Sequence, residues 1–307
     1  MSYTDFHLFN KNASTIIFLS KLFIRMDLGT RIPTFEELSR DIGVARGTIQ
    51  NSLKKLQEVE AIDINPRGHM GSYLVNKNTK ILIQMADIRQ LLGAMSLPYS
   101  KTYEGLATGL ITTLHNDYEI PVSMAYMRDA VMRLDAMIKG SYDFVILSKG
   151  SADNAIRSGK PLVKVIDFGP QTYLSAHVLL FSNTKSKEIE DGMTVGLAKD
   201  AAEQNRWTKK MCRGKKVKYV MLDYSKIIPA LKQKEIDATV WNKDEVNDAL
   251  IQMNTKPIQS NGEDTSAVLL VNKFRPELVK LFLEIVDVDE VKRIQQAVIA
   301  ETIPPQY

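Results

Sequence analysis

Apolar residues recur at helical spacing near the start of the chain, where Ile16, Leu19, Phe23 and Met26 mark one face of an amphipathic helix. Leu38 and Ile42 make a shorter stripe, Gly43 supplies a sharp turn, and Val44, Ile49, Leu53 and Leu56 resume the helical period. Thr34 can cap the middle helix, with Glu37 three residues on to complete a capping box. The third helix leaves Arg46, Thr48, Gln50, Asn51, Lys54 and Lys55 on its other faces, a polar set for which a protein core has little use. A basic stretch with Arg67, His69 and Gly71 follows and predicts a hairpin. Two helices, a tight turn and a basic hairpin are the parts of a reader of the DNA major groove.

The pattern then changes. A polar stretch, Asn76 to Lys80, reads as a linker, and a domain boundary is placed near Lys80. Strand and helix signals alternate after it: a strand near Leu91 to Leu97, a helix from Lys101 to about Leu114, a strand Val122 to Met127, a helix to Lys139 and a strand Asp143 to Ser148. This alternation predicts a parallel α/β sheet. Gly105 and Gly109 lie within a polar-flanked helix and predict close helix packing rather than membrane dimerisation. An internal repeat sharpens the picture, because residues 134 to 148 and 228 to 242 align without gaps at an offset of 94. Leu134 matches Ile228, Met137 matches Leu231, Asp143 matches Asp237 and Ile146 matches Val240. Each copy is a helix, a turn, an Asp and a buried strand that ends in a polar residue, Ser148 or Asn242. Two such lobes facing each other would bind a ligand at the carboxyl ends of their strands.

At 307 residues the chain suits two domains, 1–80 and 81–307. Residues 1–80 hold eleven Lys and Arg against eight Asp and Glu, so most of the net charge of +4 sits with the helix-turn-helix, where clustered cations attract phosphates. The single cysteine, Cys212, excludes a disulfide framework and fits a reducing cytoplasm. It lies in a basic run that reads as a solvated face, and it has no resolving partner for a redox role. His7, His69, His115 and His177 show no ligand spacing, and no phosphate loop or dinucleotide fingerprint is present, so neither a metal nor a cofactor is expected. Ile16 to Met26 is the stretch most like a signal or membrane segment, but Lys21 and Arg25 interrupt it.

Residues 34 to 75 resemble the winged-helix domain of GntR-type bacterial regulators, through Pro33, Thr34, Leu38, Gly43, Val44, Arg46, Thr48, Ile49, Leu53, Leu56, Gly71, Ser72, Tyr73 and Val75. Ala45 stands where that family usually has Ser and Gln50 where it often has Arg, so its base preferences do not transfer. Residues 81 to 307 look like the two-lobed domain of periplasmic binding proteins, type II, and of LysR-type effector domains, a likeness carried by the repeated Asp-strand unit. The combination, with LPYSKTYEGLATGL at 97 to 110, AYMRDA at 125 to 130, GPQTY at 169 to 173 and VWN at 240 to 242, looks like the YhfZ-type regulators. The resemblance implies a winged helix-turn-helix followed by a two-lobed α/β domain, and a DNA-binding regulator; no nucleophile, base and orienter can be assembled from the motifs, so no enzyme is expected.

On this reading Thr34, Arg46, Thr48, Gln50, Asn51, Lys54, Lys55, Arg67 and His69 face double-stranded DNA, at an inverted-repeat operator bound by a homodimer. Tyr99, Ser100, Tyr103, Glu104, Arg128, Ser148, Tyr173, His177, Trp241 and Asn242 are the residues expected around a small-molecule effector. Arg128, a cation directly after an apolar strand, suits a carboxylate or phosphate. No membrane partner is expected. An enzyme on a binding-protein-like scaffold and an architectural DNA-binding dimer are the alternatives that the sequence leaves open.

Overall fold

The structure is a computed structural model, and it describes residues 11–199, 201–246, 254–258 and 265–306; His7 lies outside them. The chain folds into two compact units that do not follow chain order. The first takes the chain up to Leu91, residues His115–Pro121 and Arg275–Ile285, and the second takes the remainder.

The first unit is built on three helices, α1 (Lys11–Arg25), α2 (Phe35–Ile42) and α3 (Arg46–Glu58). Leu19 and Phe23 of α1 are buried with Leu38, Ile49 and Leu56, so the apolar stripes read from the sequence meet in one core. The capping box forms: the Glu37 amide donates to Thr34 Oγ1 at 3.3 Å, and the Thr34 amide donates to Glu37 Oε2 at 2.7 Å. Gly43 closes α2 with a φ of 74°, a left-handed conformation in which glycine avoids the penalty of a side chain. Strands β1 (Ile62–Pro66) and β2 (Ser72–Lys77) pair antiparallel as a wing. The polar stretch at 76 to 80 is ordered: Lys77 ends β2, and Asn78 caps α4 (Thr79–Met85) by accepting from the Ile81 amide at 3.2 Å. A helix from far along the chain, α10 (Pro276–Ile285), joins this unit, where Lys77 Nζ meets Glu284 at 2.9 Å and Lys280 Nζ meets Asp27 at 3.0 Å.

The second unit holds two lobes, each built on a five-stranded sheet. The first sheet runs in the order β4 (Val122–Tyr126), β3 (Leu91–Met95), β5 (Phe144–Ser148), β12 (Ala267–Asn272) and β6 (Leu162–Gly169). The second runs β11 (Asn254–Pro257), β7 (His177–Phe181), β10 (Ala238–Asn242), β8 (Thr194–Ala198) and β9 (Lys218–Leu222). Helices α5 (Lys101–Tyr118), α6 (Ala130–Ile138), α7 (Lys149–Arg157) and α11 (Val288–Ile299) belong to the first lobe, and α8 (Ala202–Met211) and α9 (Tyr224–Lys232) to the second. In β7, Leu179 and Phe181 enter one core with Trp207 while Val178 and Leu180 enter another with Ile227 and Leu231, so the sheet is buried on both faces. The expectation of a parallel sheet is corrected here. Pairs β3 with β5, β8 with β9 and β8 with β10 are parallel, but β12 runs antiparallel to β5 and β6, and β7 antiparallel to β10 and β11. A strand buried on both faces is apolar throughout in either orientation, so the run Ala267 to Val271 does not reveal its direction.

The internal repeat has a structural basis. The Asp143 amide donates to the Leu92 carbonyl and its carboxylate accepts from the Leu92 amide at 2.9 Å. Asp237 makes the same pair of bonds to Thr194, with the carboxylate bond at 2.7 Å. Each Asp thereby fastens the start of one strand to its parallel neighbour. Gly105 and Gly109 on α5 do mark close packing: a Cβ there would sit 2.7 Å from the Gln295 carbonyl oxygen and 2.6 Å from that of Val291 on α11.

Candidate effector cavity and DNA-facing helix

A cavity of about 230 Å³ lies between the two lobes of the second unit, lined from strand ends and helix starts on both sides. Its size is below the range of roughly 300 to 1,000 Å³ usual for drug-sized ligands, and suits a small metabolite. Arg128 follows β4 and its guanidinium carbon stands 4.3 Å from the ring centre of Tyr224 and 5.3 Å from that of Tyr99. It donates to the Tyr99 hydroxyl and forms no ion pair with a carboxylate of the described residues. Beneath it Arg133, 1 % exposed, donates to the carbonyls of Met127 and Arg128, and its Nε has no hydrogen-bond partner among the described residues. Arg133 thus fixes the backbone that presents Arg128. Asp129 caps α6, its carboxylate accepting from the amides of Val131 and Met132.

Carboxylates from the second lobe face these cations. Glu203, in the first turn of α8, accepts from the hydroxyls of Ser148 and Ser151, the latter at 3.0 Å. Glu245 follows β10 and accepts from the Tyr224 hydroxyl at 2.6 Å. Burial raises the Glu245 carboxyl above its ordinary value, against the lowering effect of Tyr224, Asn242 and Arg128. Burial and the nearby Glu245 likewise push the Tyr224 hydroxyl up. Tyr103 and Tyr173 meet edge to face, ring centres 5.1 Å apart, and burial raises the Tyr103 hydroxyl as well. Gln295 of α11 supports this aromatic wall, donating to the carbonyls of Thr102 and Thr172 at 2.8 Å each.

Of the residues expected around an effector, Tyr99, Tyr103, Arg128, Tyr173, His177 and Asn242 line this cavity. Ser148 stands one bond behind it, through Glu203. Three others lie elsewhere. Ser100 is buried ahead of α5, where it accepts from the Tyr103 amide, and Glu104 pairs with Lys101 at 3.2 Å. Trp241, 3 % exposed, fills the second lobe's core behind Tyr224, because it points to the opposite face of β10 from Val240. Sequence reasoning missed Arg133, Ser151, Glu203, Tyr224 and Glu245. The repeat carried a usable signal, since the same offset of 94 continued past the strand ends equates Ser151 with Glu245. Continued backward, it equates Asp129 with Asp223, the residues that precede α6 and α9. Cys212 is buried in the second lobe's core, and burial raises its thiol, which opposes the reactive thiolate that a redox role needs.

In the first unit, Arg46, Gln50, Asn51, Lys54 and Lys55 are exposed on α3 while Ile49, Ser52, Leu53 and Leu56 are buried, and Thr48 is half-buried. Arg46 lies 5.0 Å over the Phe35 ring, and Arg67 lies 4.5 Å over the Tyr73 ring in the wing. His69 is exposed at the wing tip. A groove between α3 and the wing brings Gln50 and Lys54 together with Arg31, a cation that the sequence did not single out. Thr34 also lines it, but its hydroxyl is engaged with Glu37 in the capping box. The Lys54 to Glu58 pair, 3.7 Å apart on an exposed surface, is too weak to keep Lys54 from a phosphate.

Residues 27–74 match the family described as helix-turn-helix domain, and residues 78–307 match the YhfZ C-terminal domain. The chain belongs to the YhfZ family. It is 30% identical over 301 residues to the YhfZ protein of Escherichia coli K12, covering 97% of this chain and 98% of that protein. The crystal structure of YhfZ from Shigella flexneri is similar with a TM-score of 0.63 and 28% identity, over 74% of this chain and 97% of that one. The aliphatic sulphonate binding protein SsuA of Escherichia coli aligns with a TM-score of 0.54 at 17% identity, over 69% of this chain and 74% of that one. The methionine binding protein MetQ aligns with a TM-score of 0.51 at 17% identity, over 70% of this chain and 96% of that one. Those two likenesses concern the fold: the second unit resembles periplasmic binding proteins. No helix among the described residues is long and apolar enough to cross a membrane.

Proposed function

We propose that this YhfZ-family chain is a cytoplasmic, ligand-responsive transcription regulator in which a small metabolite with an anionic group binds between the lobes and alters DNA affinity. The observation that carries the reading is the pairing, in one chain, of an exposed polar recognition helix with an interlobe cavity whose Arg128 forms no ion pair with a described carboxylate. The buried Nε of Arg133 at the same wall supports the anionic end. Residues 1–80 are the part that reads DNA, in the manner of GntR-type winged helices, and residues 81–307 the part that senses. The protein acts as a homodimer on an inverted repeat, because one small winged helix buries too little surface to select a single locus. Regulation, rather than catalysis, is the role that this pairing supports.

The test begins with an operator selected by the full-length protein from random duplex DNA. A thermal-shift screen then finds the ligand, since about one hundred times its dissociation constant stabilises by about 2.7 kcal/mol. Ligand and operator should change each other's affinity by the same factor, worth about 1 to 3 kcal/mol. A ligand that leaves operator affinity unchanged removes the regulatory reading, and turnover of that ligand favours an enzyme. Light scattering that finds only monomer, with and without the operator, removes the dimer.

A further inference from the structure

We infer that the ligand of the interlobe cavity is a zwitterion, a small metabolite whose anionic end meets Arg128 and whose amine is received by Glu203 and Glu245. The inference rests on the proposed effector reading and narrows its ligand class. It comes from the charges that line the cavity and the lobe to which each belongs. Asp129 accepts from two amides at the start of α6, and Arg133 donates to two backbone carbonyls. From the second lobe come two carboxylates on separate elements, Glu203 at the start of α8 and Glu245 after β10, opposite Arg128 of the first lobe.

This arrangement disfavours a ligand with charge of a single sign. Between protein walls, where the effective dielectric constant is below that of water, a dicarboxylate or a phosphorylated sugar would meet two carboxylates from the second lobe. A plain amine would meet Arg128. A two-ended molecule answers both, and the groups that hold the carboxylates suit it. The hydroxyls of Ser148 and Ser151 hold Glu203, and the Tyr224 hydroxyl holds Glu245, so both acceptors are oriented before a ligand arrives. The ring of Tyr224 also packs against Arg128, which links the cationic and anionic halves of the site through one side chain. The cavity volume of about 230 Å³ sets the scale at that of an amino acid.

The experiment uses the full-length protein and calorimetry. The probes are the α-amino acids in both configurations, β-alanine and taurine, each beside the matched molecule lacking the amine and the matched amine lacking the anion, with dicarboxylates and sugar phosphates alongside. At least one zwitterion should bind, and removing either end should weaken it tenfold or more. Glu203→Gln, which keeps the bonds to Ser148 and Ser151, should reduce the penalty for losing the amine to threefold or less. An amine-free anion that binds as tightly as any zwitterion, or a panel in which no zwitterion binds, overturns the inference. If the variant fails to fold, the comparison of matched probes on the wild-type protein decides alone. The two readings fail separately: a zwitterion that binds without shifting operator affinity sinks the regulator and leaves the ligand class, and an amine-free anion that shifts operator affinity does the reverse.

Discussion

Gly109→Ala sets two effects of known size against each other. In a helix interior the change to alanine is worth about 0.5 to 1 kcal/mol of stability, through the backbone entropy that glycine loses on folding. At this position the added Cβ would stand 2.6 Å from the Val291 carbonyl oxygen and 3.0 Å from Val291 Cγ1, where ordinary contact begins at 3.4 Å. The helices α5 and α11 must therefore part by several tenths of an ångström. Helix α11 is not free to recede, because Val291, Ile294 and Val298 are buried and Gln295 is tied to Thr102 and Thr172. Overpacking of this kind costs about 1 to 3 kcal/mol, so the net effect should be a loss of up to about 2.5 kcal/mol. Gly47→Ala is the control: it lies in a helix too, but its Cβ would meet nothing within 4 Å, so it should raise stability or leave it unchanged. Urea unfolding followed by circular dichroism measures both midpoints. The consequence extends to the cavity, since Gln295 braces the segments that carry Tyr103 and Tyr173, and ligand affinity should fall with stability. If Gly109→Ala stabilised the protein as Gly47→Ala does, the tight seam between α5 and α11 would be wrong, and with it the argument that this seam sets the aromatic wall.

Gln50→Ala should cost about 1 to 3 kcal/mol on the operator and relax preference at one base pair, whereas Lys54→Ala should weaken all sequences alike and lower the salt slope; identical losses on operator and random DNA would remove that division of labour. Arg128→Ala should cost about 1.5 to 3 kcal/mol of ligand affinity through one lost charge-assisted contact, measured by calorimetry, and undiminished affinity would take Arg128 out of the site. Glu245 gives a pH signature. Its folded carboxyl titrates above the unfolded value, so the native state holds the proton more tightly and stability falls as pH rises from the unfolded value through the folded one. Glu245→Gln should therefore be more stable than wild type at neutral pH, with the advantage vanishing below the ordinary carboxylate range; a constant difference from pH 4 to 8 would refute the burial argument.

How far the sequence disclosed these features depended on whether a local rule governed them. The capping box at Thr34 and Glu37 and the buried face of α3 are local in chain position and follow the pattern read for them. Strand direction is not local: β12 lies between β5 and β6, far from both in sequence. Trp241 sits in a strand buried on both faces, so no polar alternation shows which side it takes. Glu203 was hidden for the opposite reason, because α8 buries only Trp207 and Thr208 and carries no apolar stripe against which a functional polar residue would stand out. Helix α10 shows a clear apolar face, yet nothing in that face says it belongs with α1 rather than with its chain neighbours.

The repeat explains why the cavity has two chemically different sides. What the two copies share is scaffold: Asp143 and Asp237 bond in the same way to the parallel strand beside them, and Ser141 and Glu235 make the same helix-closing bond to Ala136 and Ala230. Those bonds fix each strand, and Ser148 and Asn242 each cap the turn that follows it, yet the side chains around them differ. They differ in charge. The first copy ends in Ser148 and Ser151, which are hydroxyl donors, and the second in Asn242 and Glu245, which bring an amide and a carboxylate. Asp129 and Asp223 precede equivalent helices, but the residue before each is Arg128 in the first copy and Leu222 in the second, so the lone presented cation belongs to one lobe only. A duplicated frame with divergent strand ends gives a cleft that is cationic from one lobe and acidic from the other. A ligand with two unlike ends is the one that such a cleft suits, which is why the proposed zwitterion should lose affinity when either end is removed.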